Sequence, residues 1–186
     1  AAMKITSVEI FLLDGGRPTW RPVVCRVNTD EGISGYGEAA LGFDNGAWGA
    51  VGMLREIAPM VIGMDAMAHE VVWDHTFHDS FWGQGGGMAV MSAVSAIDMA
   101  LWDIKGKALG MSVSRLLGGR MHSRLRAYAS QLQFGWKWGQ MLHERQLKPE
   151  QYADVAKEAV AEGYDALKYD FFSFDEEGNT ITVEEY

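Results

Sequence analysis

Lys168 and Asp170 stand two apart in Ala166-Leu167-Lys168-Tyr169-Asp170, within residues 164–171, whose composition predicts a strand. Period two puts both charged side chains on one face and Tyr169 on the other. Upstream, residues 149–162 carry the spacing of an amphipathic helix, with Pro149 in the first turn and Gly163 closing it. Before that helix, residues 125–131 read as a short strand and 134–148 as a loop. A strand–loop–helix–strand unit makes its two strands parallel, with a right-handed crossover. This is how a β/α barrel opens, and a charged pair at the mouth of a barrel sits where catalytic groups are found. The plain alternative is a solvated strand end. Barrel strands are buried on both faces, where unpaired charges are costly, so the functional reading is preferred.

Other groupings carry less. His75, His78 and Asp79 have a metal-like spacing, but on a helix with no further ligands converging they read as a solvated face. The glycine-rich 83–87 segment lacks the Gly-Lys-Ser/Thr ending of a phosphate loop. Cys25 is the single cysteine and lies in an apolar run, so it reads as a small buried hydrophobe, with no disulfide possible inside the chain.

The elements that must position these residues come in two groups. Residues 4–13, 22–29 and 33–40 read as strands, and the tight turn at Thr29-Asp30-Glu31-Gly32 pairs the last two antiparallel. Loops 14–20 and 41–49 flank them. Helices are expected over 50–62 and over 66–77, the latter capped by Asp65 and carrying Trp73 and Phe77 on one face. From Met88 a helix of about six turns follows, apolar except for a stripe of Ser92, Ser95, Asp98 and Lys105. Gly110 stands where a left-handed cap is expected, and Ser112 can cap a short helix over 113–117. Asp103 and Lys107 are four apart in the favourable order.

The residues of 93–118 say more than their period. Ala-x-Ser-Ala-Ile-Asp-x-Ala-Leu-x-Asp-Ile-x-Gly-Lys, four residues, then Ser-Val-x-x-Leu-Leu-Gly resembles the N-terminal signature of the mandelate racemase/muconate lactonizing enzyme family of the enolase superfamily. The resemblance implies an α+β capping domain over 1–120, a three-stranded antiparallel meander plus helices. It further implies that 121–186 is the start of a truncated (β/α) TIM-type barrel, since closure takes eight units and roughly 250 residues. Related enzymes carry a Lys-x-Lys pair on the second barrel strand. Here Lys168 matches the first lysine and Asp170 replaces the second, which is closer to the family's acid-sugar dehydratases, whose base is a histidine on the opposite barrel face. Lys168 would then position or neutralise the substrate carboxylate, and Asp170 would serve as a general acid or a hydrogen-bonding group. Loops 14–20 and 41–49 correspond to those that close over substrate, which makes Arg17, Trp20, Asn45 and Trp48 candidates for substrate contact. The implied cofactor is Mg²⁺, held by three carboxylates expected beyond Tyr186; no carboxylate of this chain is offered as a ligand.

The implied reaction is proton abstraction next to a carboxylate followed by loss of a β-hydroxyl as water. Because fold does not decide function, a racemase or cycloisomerase of the same family remains open, as does a non-catalytic α+β binding or oligomerisation module. The net charge of −9, with no long basic block, argues against a nucleic-acid footprint and leaves room for a small anionic substrate through a local cationic group. A cytoplasmic protein without a membrane span is expected. Self-association is expected from the apolar helices, as is a barrel remainder supplied by the same or another chain.

Overall fold

A computed structural model describes residues 2–16, 20–81, 83–137 and 145–171, together with 175, 177, 179 and 181. The chain divides into two compact units, Ala1–Met121 and His122–Tyr186.

In the first unit β1 (Ile5–Leu12), β2 (Val23–Thr29) and β3 (Ser34–Ala39) form the expected antiparallel meander in the order β1-β2-β3. Alternation is cleanest in β2, whose Val23, Cys25, Val27 and Thr29 are buried while the intervening residues are only partly so. The opposite face is tied by polar pairs: Arg26 Nε donates to Glu9 Oε2 at 2.6 Å, Asn28 Nδ2 to the same oxygen at 2.7 Å, and Ser34 Oγ to Asn28 Oδ1 at 2.7 Å. Burial pushes the Cys25 thiol up to about 11, as befits a side chain that serves as packing.

Four helices follow: α1 (Gly46–Val61), α2 (His69–His78), α3 (Met88–Leu109) and α4 (Val113–Leu116). α3 packs on the sheet through its small residues. Register sets Gly37 opposite Cys25 and Gly35 opposite Val27, and a Cβ on either glycine would collide with a carbonyl of α3, that of Ala96 at Gly37 and that of Ala100 at Gly35. Gly110 takes the left-handed conformation (φ 60°) and closes α3. Ser112 Oγ accepts from Arg115 N at 3.4 Å at the start of α4. Asp103 joins Lys107 at 2.7 Å as expected, but also accepts from Tyr36 N at 3.0 Å, and Lys107 Nζ reaches Ser34 O at 2.8 Å, so this helical pair also clamps the β3 edge.

Two helix starts differ from expectation. α1 begins four residues earlier than residue 50, because Ala47 continues the buried row of Ala50, Val51 and Leu54, and burial outweighs the poor helix propensity of Gly46, Gly49 and Gly52. Asp65 does not cap α2. Its Oδ1 accepts from Met67 N at 3.0 Å and its carbonyl from Ala68 N at 3.0 Å, which makes a separate turn ahead of the helix. Trp73 and Phe77 do share a face and stack at 4.9 Å.

The second unit holds α5 (Pro149–Ala161) and a 3₁₀ turn, Leu132–Phe134. The strands expected over 125–131 and 164–171 contract to one parallel bridge, Ala129↔Leu167, closed by Ala129 N to Ala166 O at 2.9 Å and Lys168 N to Ala129 O at 2.7 Å. Among the described residues the pair has no neighbouring strand to extend its ladder, and a short bridge with parallel direction is what forms. Ala129, Leu132, Val155 and Ala159 form its core, with Trp136, Tyr164, Leu167 and Tyr169 packed around them. Residues 138–144 of the expected loop at 134–148, and most of 172–186, lie outside the described residues.

Candidate functional site

The Ala129↔Leu167 bridge fixes which way the next residues point. Leu167 and Tyr169 turn into the small core. The Tyr169 hydroxyl donates to Tyr152 O at 2.9 Å, its ring stacks on Phe171 at 4.9 Å, and burial pushes its phenol pKa up. Lys168 and Asp170 therefore share the opposite, exposed face, as period two requires. Lys168 Nζ makes no hydrogen bond or ion pair to any described residue.

Asp170 has a partner that the sequence reading passed over. Gln133 Nε2 donates to Asp170 Oδ2 at 3.0 Å. Gln133 is 4% exposed and sits in the 3₁₀ turn that follows Gln131, a non-glycine residue in the left-handed region at φ 61°. Because the two strand segments run parallel, this turn leaves the first at the same end at which Asp170 leaves the second. The only signal in the sequence was the pair of glutamines, Gln131 at the end of a predicted strand and Gln133 just past it.

In the first unit the two candidate loops are joined through their backbones. Trp20 bridges Phe43 antiparallel, and Arg21 N donates to Gly42 O at 2.7 Å. Trp20 is partly buried, whereas Phe43 and Trp48 are more than half exposed, at 55% and 53%. Asn45 is exposed at the start of α1 and makes no side-chain cap. Leu41 (φ 71°) and Asp44 (φ 47°) are both left-handed, and for a bulky residue such as Leu41 this stores strain of a kind that gathers at ligand-facing loops. Arg17 lies outside the described residues. The structure thus brings Trp20 beside Phe43, with Asn45 on the turn that follows and Trp48 in the first turn of α1.

His75 and His78 each pair with a carboxylate four residues away, Asp79 at 2.6 Å and Asp74 at 2.7 Å. No group of three or more His, Cys, Asp or Glu among the described residues is placed to hold a metal ion. A separate hollow of about 320 Å³ lies between α2 and α3, lined by His69, Glu70, Trp73, Asp98 and Trp102. Lys105 Nζ approaches His69 Nδ1 at 2.6 Å beside it. Asp98 makes no hydrogen bond to a described residue, and burial raises its pKa from the ordinary 3.8.

Residues 14–118 match the family described as mandelate racemase/muconate lactonizing enzyme, N-terminal domain. The chain belongs to this family. A mandelate racemase/muconate lactonizing enzyme capping domain accounts for the meander, the covering helices and the two joined loops. An enolase-superfamily member from Salmonella Typhimurium superposes with a TM-score of 0.89 at 46% identity, over 98% of this chain and 48% of that one. That coverage extends past residue 118, so the second unit has its counterpart there too. An enolase from Pantoea ananatis, solved with bound D-gluconate and Mg, matches at 29% identity and a TM-score of 0.73, over 90% of this chain and 36% of its own. The D-galactonate dehydratase of Verminephrobacter eiseniae is 33% identical over 166 residues, 89% of this chain and 38% of that protein. The chain thus spans less than half the length of these relatives. No described helix is long and apolar enough to cross a membrane.

Proposed function

We propose that the chain supplies the capping domain (1–120) and the opening of the barrel (121–186) of a Mg²⁺-dependent, cytoplasmic acid-sugar dehydratase that works as a homo-oligomer. The observation that carries this reading is the shared, exposed face of Lys168 and Asp170 next to a parallel bridge, with a carboxylate where a two-base racemase would need a second lysine. The dehydratase name of the Verminephrobacter relative and the gluconate bound to the Pantoea protein support the substrate class. The remaining barrel strands would come from the same polypeptide or from another chain.

In this reading the Lys168 ammonium pairs with the substrate carboxylate. Partial neutralisation makes the adjacent C–H more acidic, and a base from the opposite side of the barrel takes that proton. The electron pair left on the α-carbon then expels the β-hydroxyl, which leaves as water after accepting a proton. Asp170, when protonated, can donate it; when ionised, it can only hold a substrate hydroxyl. The enol product tautomerises to a 2-keto-3-deoxy acid. Mg²⁺ would supply charge stabilisation for such an enzyme; the described residues form no site for it, and the roles of Lys168 and Asp170 do not depend on one in this chain.

The test is a panel of acid sugars with the full-length protein and Mg²⁺, read with semicarbazide for the 2-keto acid. Turnover is expected on at least one sugar acid, and K168M should lower kcat/KM by about 100-fold or more. Exchange of the α-proton with solvent deuterium without loss of water would instead mark a racemase. Undiminished turnover by K168M would remove Lys168 from the mechanism.

A further inference from the structure

We propose that Gln133 is a positioning residue for Asp170, a strut that sets the direction of that carboxylate; the inference rests on the catalytic reading of Asp170. Three observations carry it. First, the contact is direct and its polarity is settled by chemistry: a carboxylate only accepts, so the amide must present Nε2–H to Asp170 Oδ2, at 3.0 Å. Second, Gln133 is held from behind. Its carbonyl accepts from Gln146 N at 2.8 Å, and the 3₁₀ turn around it is closed by Phe134 N to Gln131 O and Gly135 N to Leu132 O, both at 3.1 Å. Third, the other end of the amide is not engaged by the described residues. Gln133 Oε1 is buried and has no partner among the described residues.

A buried amide oriented for the benefit of the fold would satisfy both of its ends, because a buried acceptor without a donor is costly. Among the described residues Gln133 leaves its oxygen unpaired, and it spends its N–H on a residue that is itself exposed. The arrangement thus favours the geometry of Asp170 over the stability of the turn. A charge-assisted bond from a side chain with little freedom restricts the swing of the carboxylate, and positioning of that kind acts on kcat more than on substrate affinity.

The test is a double-mutant cycle in the full-length enzyme with Q133M, which keeps the length and removes the N–H, and with D170A. Q133M should lower kcat by about ten- to a hundredfold while KM stays within about twofold. In the D170A background Q133M should cost nothing further, because its effect passes through the missing carboxylate. Q133N retains an amide one methylene too short to reach, so it should behave as Q133M and serves in its place if that variant fails to fold. Additive losses, or a full kcat in Q133M while D170A is impaired, would overturn the role of Gln133 and leave Asp170 in place. An unimpaired D170A would overturn both.

Discussion

Asp98 lines the hollow between α2 and α3 with no hydrogen bond to a described residue, and the sign of its pKa shift can be read in stability. Burial is the largest cause of the upward shift, with Glu70 adding to it and His69 and Lys105 opposing. An acid whose pKa is higher folded than unfolded favours the folded state only in its protonated form. Its charge therefore costs stability at neutral pH, and the cost disappears as pH falls through the native pKa to below the unfolded value. D98N should melt at a higher temperature than the parent at pH 7, and the gain should vanish near pH 3.5. A gain that is the same at both pH values, or a loss at pH 7, would contradict this assignment. At the same scale, the Lys168–Asp170 face was legible in the sequence because period two is local. Gln133 was not, because its partner stands 37 positions away and only the chain path brings them together.

The contact between β3 and α3 depends on the absence of two side chains. Gly35 and Gly37 let the helix backbone approach where any Cβ would strike a carbonyl, and backbone yields less readily than a flexible side chain. G37A should therefore destabilise by about 3 kcal/mol, the upper end for overpacking, read as a lower urea midpoint at unchanged slope. An unchanged midpoint would mean that helix and sheet can separate cheaply. The alternating glycines were visible in the sequence, but their purpose was not, since nothing local shows that they face Ala96 and Ala100. Helix ends were legible where a cap made them, as at Gly110 and Ser112. They were misread where burial extended a helix through glycines, as in α1, or where Asp65 spent its side chain on a turn.

At the level of the whole molecule the two units differ in how much they bury. Among the described residues the first encloses a continuous core running from Ile5 through Val27 and Leu54 to Ile104, while the core of the second consists of Ala129, Leu132, Val155 and Ala159. Opening free energy follows buried contact, so amide exchange should be slowest in β2 and the middle of α3 and clearly faster at the Ala129↔Leu167 bridge. Mass-resolved hydrogen exchange on this chain would check it; equal protection in both units would mean that they open together. The capping domain was legible because each of its elements has a local period and a partner inside the chain. The two barrel strands were over-extended in the reading because a parallel ladder is built by neighbours on both sides, which composition does not supply.

The backbone bridge from Trp20 to Phe43 has a consequence for anyone who would replace either loop. Two segments separated by the whole β2–β3 hairpin are tied through their backbones, so an insertion in either shifts both. Swapping one loop for that of a relative should fail where swapping the pair succeeds. The unit of exchange is then the couple of loops, moved together with the strand ends that hold them in register.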